Sequence, residues 1–305
     1  VAVAEERSFS RAAARCHVSQ PGLSAQIAEL EHRLGITLFE RGRTGAAPTN
    51  AGAEVLIRAR AILRAVDDLV LATHAHRHTV AGVLRVAAIP TIAPYLLSSV
   101  ARRLRRRWPG AQLELSELRT ADLVAATTEG RVDLGLLAMP VDTGTLHVEH
   151  VAFEPFVVAT AEQGPFAGRD HVAVDELGDV EILLLEDGHC LREHALAVCR
   201  LAGSAGLREI HDTGLSVLAQ MVATSDAATL LPASAVAVEA RAGSGLVARP
   251  LRPTGVGRTI SLVWRPGDPR HPLFADALGD VRVAVEELIG FDTGTKPREH
   301  RRRAR

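Results

Sequence analysis

Two of the three cysteines stand in one short segment, EDGHCLREHALAVC at 186–199, which places Cys190 and Cys199 nine positions apart. Two thiols so spaced could form a disulfide, or could simply be two small buried hydrophobes, and the spacing alone leaves both open. The apolar run EILLLE and a Gly-containing turn precede Cys190. That order predicts a strand, a turn and then a helix with Cys190 near its N-terminus, where unpaired backbone N–H groups and the helix dipole favour a thiolate. His189 and Arg192 offer further positive charge and hydrogen-bond donors. A lowered pKa and access to solvent are expected of an oxidant-reactive cysteine. If 191–199 are helical, the two Cα atoms lie about 13 Å apart at about 1.5 Å per residue. A disulfide tolerates only about 4.4–6.8 Å, so closing it requires the helix to unwind or move. Cys16 has no partner in sequence and is expected to pack. Three cysteines in 305 residues do not make a disulfide scaffold, and no metal or organic cofactor is expected.

A second group of residues has the types and spacing to grip nucleic acid. SFSRAAARCHVSQPGLSAQIAELEHRLG at 8–35 predicts two helices joined by a turn near 16–18, with small Ala12, Ala13 and Ala14 permitting close packing. Ser19 stands where an N-cap belongs, Pro21 fits the first turn, and Leu23, Ile27, Leu30 and Leu34 form the expected buried stripe. Gln20, Gly22, Ser24 and Gln26 remain on the outer face, where short polar side chains at the start of a recognition helix reach base edges and phosphates. ITLFERGRTGAAPTNAG after Gly35 is expected to form a wing, with Arg41 and Arg43 on the DNA backbone. Net charge is −1. Affinity for DNA must therefore come from local placement, repeated in an oligomer.

These residues need a scaffold in three parts. Residues 1–50 carry short helical patterns and form the head, whose opening helix reads as already under way at Val1, an N-terminus cut short. Residues 51–80 form a connecting helix in which Val55, Leu56, Ala59, Ile62, Leu63, Val66, Leu69 and Val70 make one apolar stripe suited to a partner helix. Residues 81–291 alternate strands and helices. VLRVAAI, a helix at 92–107, QLELSEL, a helix from Thr120, VDLGLLA, VEILLLE, ATLLP and ISLVWRP predict a mostly parallel sheet divided into two lobes. Arg102, Arg103, Arg105, Arg106 and Arg107 mark the wet side of a helix. The basic tail 292–305 lacks apolar pattern and is expected to be disordered. With no apolar run near the ~18 residues of a membrane span and no secretory pattern at the start, the expected compartment is the cytoplasm.

FSRAAARCHVSQPGLSAQIAELEHRLGITLFER followed by PTNAG closely resembles the winged head of LysR-type transcription regulators, although Gly22 departs from the Ala or Thr usual there. The resemblance implies an all-α winged helix-turn-helix head, a dimerising linker helix and an α/β two-lobe effector domain like a periplasmic binding protein. LLLEDGHCLREHALAVC, IPTIAPYLL at 89–97 and CHVSQP at 16–21 resemble the hydrogen-peroxide-sensing (OxyR) branch of that family. By that likeness Cys190 is the peroxidatic thiol, Cys199 the resolving thiol, and His189 and Arg192 flank the sensor. Thr91 and Thr120 would help to position peroxide, Thr91 also reading as a helix N-cap. The implied partners are promoter DNA, further copies of the chain as a dimer of dimers, and RNA polymerase, with no catalytic turnover. A LysR-type regulator binding a metabolite between the lobes, with inert cysteines, is the nearest alternative. A thiol peroxidase or an exported solute-binding protein fits the DNA-reading head poorly.

Overall fold

The computed structural model describes residues 1–289 except 43–44, 76–79, 81, 187–189, 204–205 and 212. His189, Arg43 and the 292–305 tail therefore lie outside the described residues. The chain divides into two compact units, Val1–Thr73 and His74–Arg305.

The first unit contains α1 (Ala2–Glu6), α2 (Phe9–Arg15) and α3 (Gln20–Leu34), the hairpin β1 (Phe39–Gly42) and β2 (Gly45–Pro48), and α4 (Asn50–Ala75). The Ser8 side chain caps α2 and Ser19 caps α3, each accepting an N–H three residues on, and Gly35 ends α3 in the left-handed conformation. β1 and β2 pair antiparallel from Phe39↔Pro48 to Gly42↔Gly45, which makes the wing a two-stranded ribbon. Glu31 Oε1 accepts the N–H of Leu38 at 2.7 Å and of Phe39 at 3.2 Å, tying the wing to α3. Gly45 is required where it stands: its φ is +115°, and a Cβ there would lie 2.2 Å from the Arg7 carbonyl oxygen.

The expected buried stripe of α3 holds only at its start. Leu23 is buried and Ile27 packs against the head's core, but Leu30 and Leu34 are exposed at 41% and 47%. The core they would join ends with Val3, Ala12, Ala13 and Phe39, so later turns of α3 run past it. Cys16 is exposed and so is not the packing residue expected, because the turn after α2 carries it away from that core. On α4, Ile57, Ile62, Leu63, Val66 and Leu69 are all more than half exposed.

The second unit opens with β3 (Gly82–Ala88), then a π-helical turn at Ala93–Leu97 leading into α5 (Ser98–Arg107) where one continuous helix was expected. It continues through β4 (Ala111–Glu117), α6 (Thr120–Thr128), β5 (Leu134–Met139), β6 (His147–Ala161), β7 (Val172–Ala173) and β8 (Ile182–Leu185). Next come α7 (Cys190–Leu201), β9 (Leu207–Ile210), α8 (Leu215–Ala223), β10 (Ala228–Pro232), α9 (Ala233–Glu239), β11 (Leu246–Arg252), β12 (Gly257–Trp264), α10 (His271–Asp276) and α11 (Leu278–Ile289).

The strand order is β4-β3-β5-β12-β6-β10-β8-β9, with β11 also pairing with β6 and β7. The pairing is mixed, which corrects the expectation of a mostly parallel sheet: β3 is parallel to β4 and β5, and β8 to β9 and β10, whereas β12 and β6 run antiparallel to their neighbours. The cause is β6, a 15-residue strand. Its first half pairs with β12 and its second half with β10 and β11, so one strand serves both lobes. Two separate apolar cores flank it. One is built on β3, β5, α5 and α11, the other on β8, β10, α7 and α8.

Candidate functional site

Cys190 is the first residue of α7, as the strand-turn-helix order predicts. It is only 8% exposed, however, and burial pushes its thiol pKa up. The expectation of an accessible thiol of lowered pKa is therefore corrected: the desolvation of an apolar site outweighs the helix N-terminus. Several groups oppose that shift, in order the positive charge of Arg258, the hydroxyls of Thr120 and Thr91, and the backbone at Ala138.

Arg192 is not among them. Its guanidinium is bound to Glu209, with Nε 3.1 Å from Oε1, and to Glu193 at 2.6 Å. Two residues that stand two positions apart on a helix point about 200° apart, and Arg192 turns to Glu193 and Glu209 instead of the thiol. The cation at the thiol is Arg258, on β12, whose side chain is wholly buried. Its Nε donates to Glu154 Oε2 at 2.8 Å, while its terminal nitrogens donate to Thr91 Oγ1 at 2.7 Å and the Thr91 carbonyl at 3.0 Å. Glu154, equally buried on β6, also accepts the Ser234 N–H at 3.0 Å. A buried ion pair persists only when both charges are hydrogen-bonded in this way.

Thr91 is placed beside the sulfur, but it is no helix cap: the cap position before the π-helical turn is Ile92, without a side-chain bond. Thr120 opens α6. Its hydroxyl is close enough to favour the Cys190 thiolate, yet Oγ1 is buried and makes no hydrogen bond of acceptable geometry among the described residues.

Cys199 lies in the other core. It is fully buried, and burial alone pushes its thiol up to about 11. Cys190 belongs to the core of the first lobe and Cys199 to that of the second. Nine residues at about 100° each bring the second thiol round to the opposite face of α7, besides the ~13 Å along the axis. His194, one turn after Cys190, holds the same side of the helix. Its Nε2 lies 3.4 Å from the Pro140 carbonyl, and burial lowers its pKa, so the buried ring is neutral.

Sequence reasoning missed Arg258, Glu154 and His194. A signal for the first two was present, since each is a lone charge in an apolar strand run, AFEPFVVA and GRTISLVW. Charges of opposite sign in such runs must find each other when both are buried.

In the head, Ser19 Oγ accepts the Gly22 N–H at 3.2 Å, and a Cβ at Gly22 would stand 3.0 Å from that oxygen. Gln20 Nε2 donates to Ser24 Oγ at 2.9 Å. Gln20, Pro21 and Gln26 are exposed, and Gly22 and Ser24 half-buried. The Arg41 side chain, like Arg43, lies outside the described residues.

Residues 1–53 match the bacterial regulatory helix-turn-helix protein, lysR family, and residues 77–282 match the LysR substrate binding domain. The chain is 38% identical over 292 residues to the hydrogen peroxide-inducible genes activator of Pectobacterium carotovorum, covering 95% of this chain and 96% of the relative. It is 38% identical to the DNA-binding transcriptional dual regulator OxyR of Escherichia coli K12, covering 94% and 93%. Among solved structures it superposes on a full-length cysteine-to-aspartate variant of OxyR from Pseudomonas aeruginosa with a TM-score of 0.78 at 29% identity, covering 92% of each chain. A hydrogen-peroxide-bound cysteine-to-serine variant of Corynebacterium glutamicum OxyR gives 0.66 at 29% identity, covering 95% and 91%. With a helix-turn-helix head, a two-lobe α/β body and two thiols held by one helix, the chain belongs to the LysR family of bacterial transcription regulators and, within it, to the hydrogen peroxide-inducible activator (OxyR) branch.

Proposed function

We propose that this chain is a transcription regulator that binds promoter DNA through its head and is switched by hydrogen peroxide through Cys190 and Cys199. The Cys190 thiolate attacks one peroxide oxygen, the O–O bond breaks, and the departing hydroxide takes a proton to leave as water. Cys190 is then a sulfenic acid. The Cys199 thiolate attacks the Cys190 sulfur and displaces the hydroxyl as a second water, so that two thiols and one peroxide yield a disulfide and two waters. Arg258 favours the Cys190 thiolate against its burial, as do the Thr120 and Thr91 hydroxyls, which would also orient the peroxide. His189 would flank the same sulfur.

The observation that carries this reading is the placement of the two thiols in different cores on opposite faces of one helix. A disulfide cannot form while α7 remains as it stands, so oxidation necessarily becomes a change of shape. The head, with Ser19, Gln20, Pro21, Gly22, Ser24 and Gln26 at the start of α3 and Arg41 and Arg43 in the wing, would read the operator. The exposed stripe of α4 would pair with a second copy, dimers would associate further, and the assembly would act on RNA polymerase in the cytoplasm.

Non-reducing peptide mapping before and after a peroxide pulse tests the switch. A Cys190–Cys199 peptide should appear and should vanish on Cys199→Ser, which leaves a sulfenic acid at Cys190. A regulator answering to a metabolite between the lobes would show no such bond.

A further inference from the structure

Resting on the thiol-disulfide reading above, two side chains are exchanged between the lobes beside the sensor. Cys190 starts a helix of the second lobe but is buried in the core of the first, apart from Leu191, Ala195 and Cys199 of its own helix. Tyr95 does the reverse: its neighbours Ile92, Leu96 and Leu97 belong to the first core, while its ring is buried in the second. The crossing falls in the π-helical turn Ala93–Leu97, four residues after Thr91. A π turn is a local irregularity that accumulates at functional sites.

The tyrosine is tied down at its far end. Its hydroxyl donates to Glu239 Oε1 at 2.6 Å, and the Ser216 hydroxyl donates to that same oxygen at 2.6 Å. One carboxylate oxygen at the end of α9 thus joins the first lobe to α8 and α9. Burial and the adjacent carboxylate push the phenol pKa far upward, so the hydroxyl stays a donor. The opposite end of α9 is fixed through Ser234 N–H to Glu154, the partner of Arg258. Arg258 binds Thr91, and its charge acts on both the Cys190 thiol and the Tyr95 phenol. Both ends of α9 therefore lead back to the residues around the sulfur.

We propose that the Tyr95–Glu239 hydrogen bond is the fixed link by which departure of Cys190 from the first lobe is passed to α8 and α9. When Cys190 leaves to join Cys199, the first lobe loses the side chain that α7 lent it. Tyr95 remains as the anchor of the first lobe in the second, so rearrangement around the vacated site pulls on Glu239 and, through Ser216, on α8. This function is separate from oxidation chemistry: the groups that act on the Cys190 thiol are Arg258, Thr120, Thr91 and the backbone at Ala138, and Tyr95 packs in the other core.

The test is hydrogen–deuterium exchange on the full chain, reduced and after peroxide, with the thiol state read by mass in the same samples. In the unmutated chain, oxidation should change exchange across 215–223 and 233–239. Tyr95→Phe keeps the ring and should form the disulfide within about twofold of the normal rate, yet shrink that exchange change by about threefold or more, a coupling loss of ordinary size. Glu239→Gln retains a carbonyl acceptor for Tyr95 and should preserve most of the change, which guards against a merely misfolded variant. A full-sized change in Tyr95→Phe, or failure of that variant to form the disulfide, would overturn the link while leaving the peroxide switch standing. So would a disulfide in the unmutated chain with no response in α8 and α9. Absence of the disulfide in the unmutated chain would instead overturn the switch itself, and the link with it.

Discussion

At Cys190 two opposing influences meet: burial, which holds the thiol protonated, and Arg258, which stabilises the thiolate. Arg258→Gln removes the charge, so the thiol pKa should climb further and alkylation or peroxide oxidation at neutral pH should slow by about tenfold for each unit. Stopped-flow reaction of Cys190, with Cys199 replaced by serine, measures it. The same substitution leaves Glu154 buried and unpaired, which should cost about 3–5 kcal/mol in urea unfolding. Adding Glu154→Gln should recover much of that stability without recovering the rate, separating the two roles. His194 gives a pH signature. Its pKa is lowered in the fold, so between the unfolded value near 6.5 and the lower folded value the unfolded chain binds the extra proton. Stability should therefore fall as pH drops below about 6.5, level off beneath the folded pKa, and show a smaller loss over that window in His194→Gln. Equal acid sensitivity of the two chains would contradict this.

The element that must yield is α7, which has to unwind and turn before its thiols meet. Ala197 is an exposed residue in the middle of that helix. Ala197→Gly weakens the helix by about 0.8–1 kcal/mol without touching either core. If unwinding limits disulfide closure, that loss should speed the step from sulfenic acid to disulfide by about fourfold to fivefold while leaving the initial attack on peroxide unchanged. Double-mixing kinetics with a sulfenic acid trap resolves the two steps, and an unaltered second step would mean that unwinding does not limit closure. The same spacing would be no barrier in a flexible loop, which can fold back to bring its ends within disulfide reach.

At the scale of the whole molecule, α4 carries a run of exposed large apolar side chains, Ile57, Ile62, Leu63, Val66 and Leu69, among the described residues. Leu69 is 71% exposed. Leu69→Glu should therefore disturb the single chain little, while its charge opposes burial against another helix. Light scattering should show a drop in oligomeric mass at micromolar concentration, with little change in circular dichroism. An unchanged mass would place the assembly surface elsewhere. Within the head, Arg15 pairs with Glu5 at 2.8 Å and Arg33 with Glu29 at 2.7 Å, so these two charges are already engaged with carboxylates.

Local rules sufficed for much of this. Caps, turn residues and hydrophobic periods are read from neighbours in sequence, so Ser19 at the head of α3, the hairpin after Gly35 and Cys190 at the start of α7 were legible beforehand. Distinctive strings carried the family, since GHCLR and FSRAAARCHVSQP are long enough to outweigh the ambiguity of nine-residue thiol spacing. What escaped depends on distant segments meeting. The environment of Cys190 is made by β12, by the loop before the π-helical turn and by α6, none adjacent to it in sequence, so Arg258 replaced Arg192 as its cation. The long strand β6 made the pairing mixed. Burial and electrostatic fields are sums over everything within a few ångströms, and only the folded chain decides which residues those are.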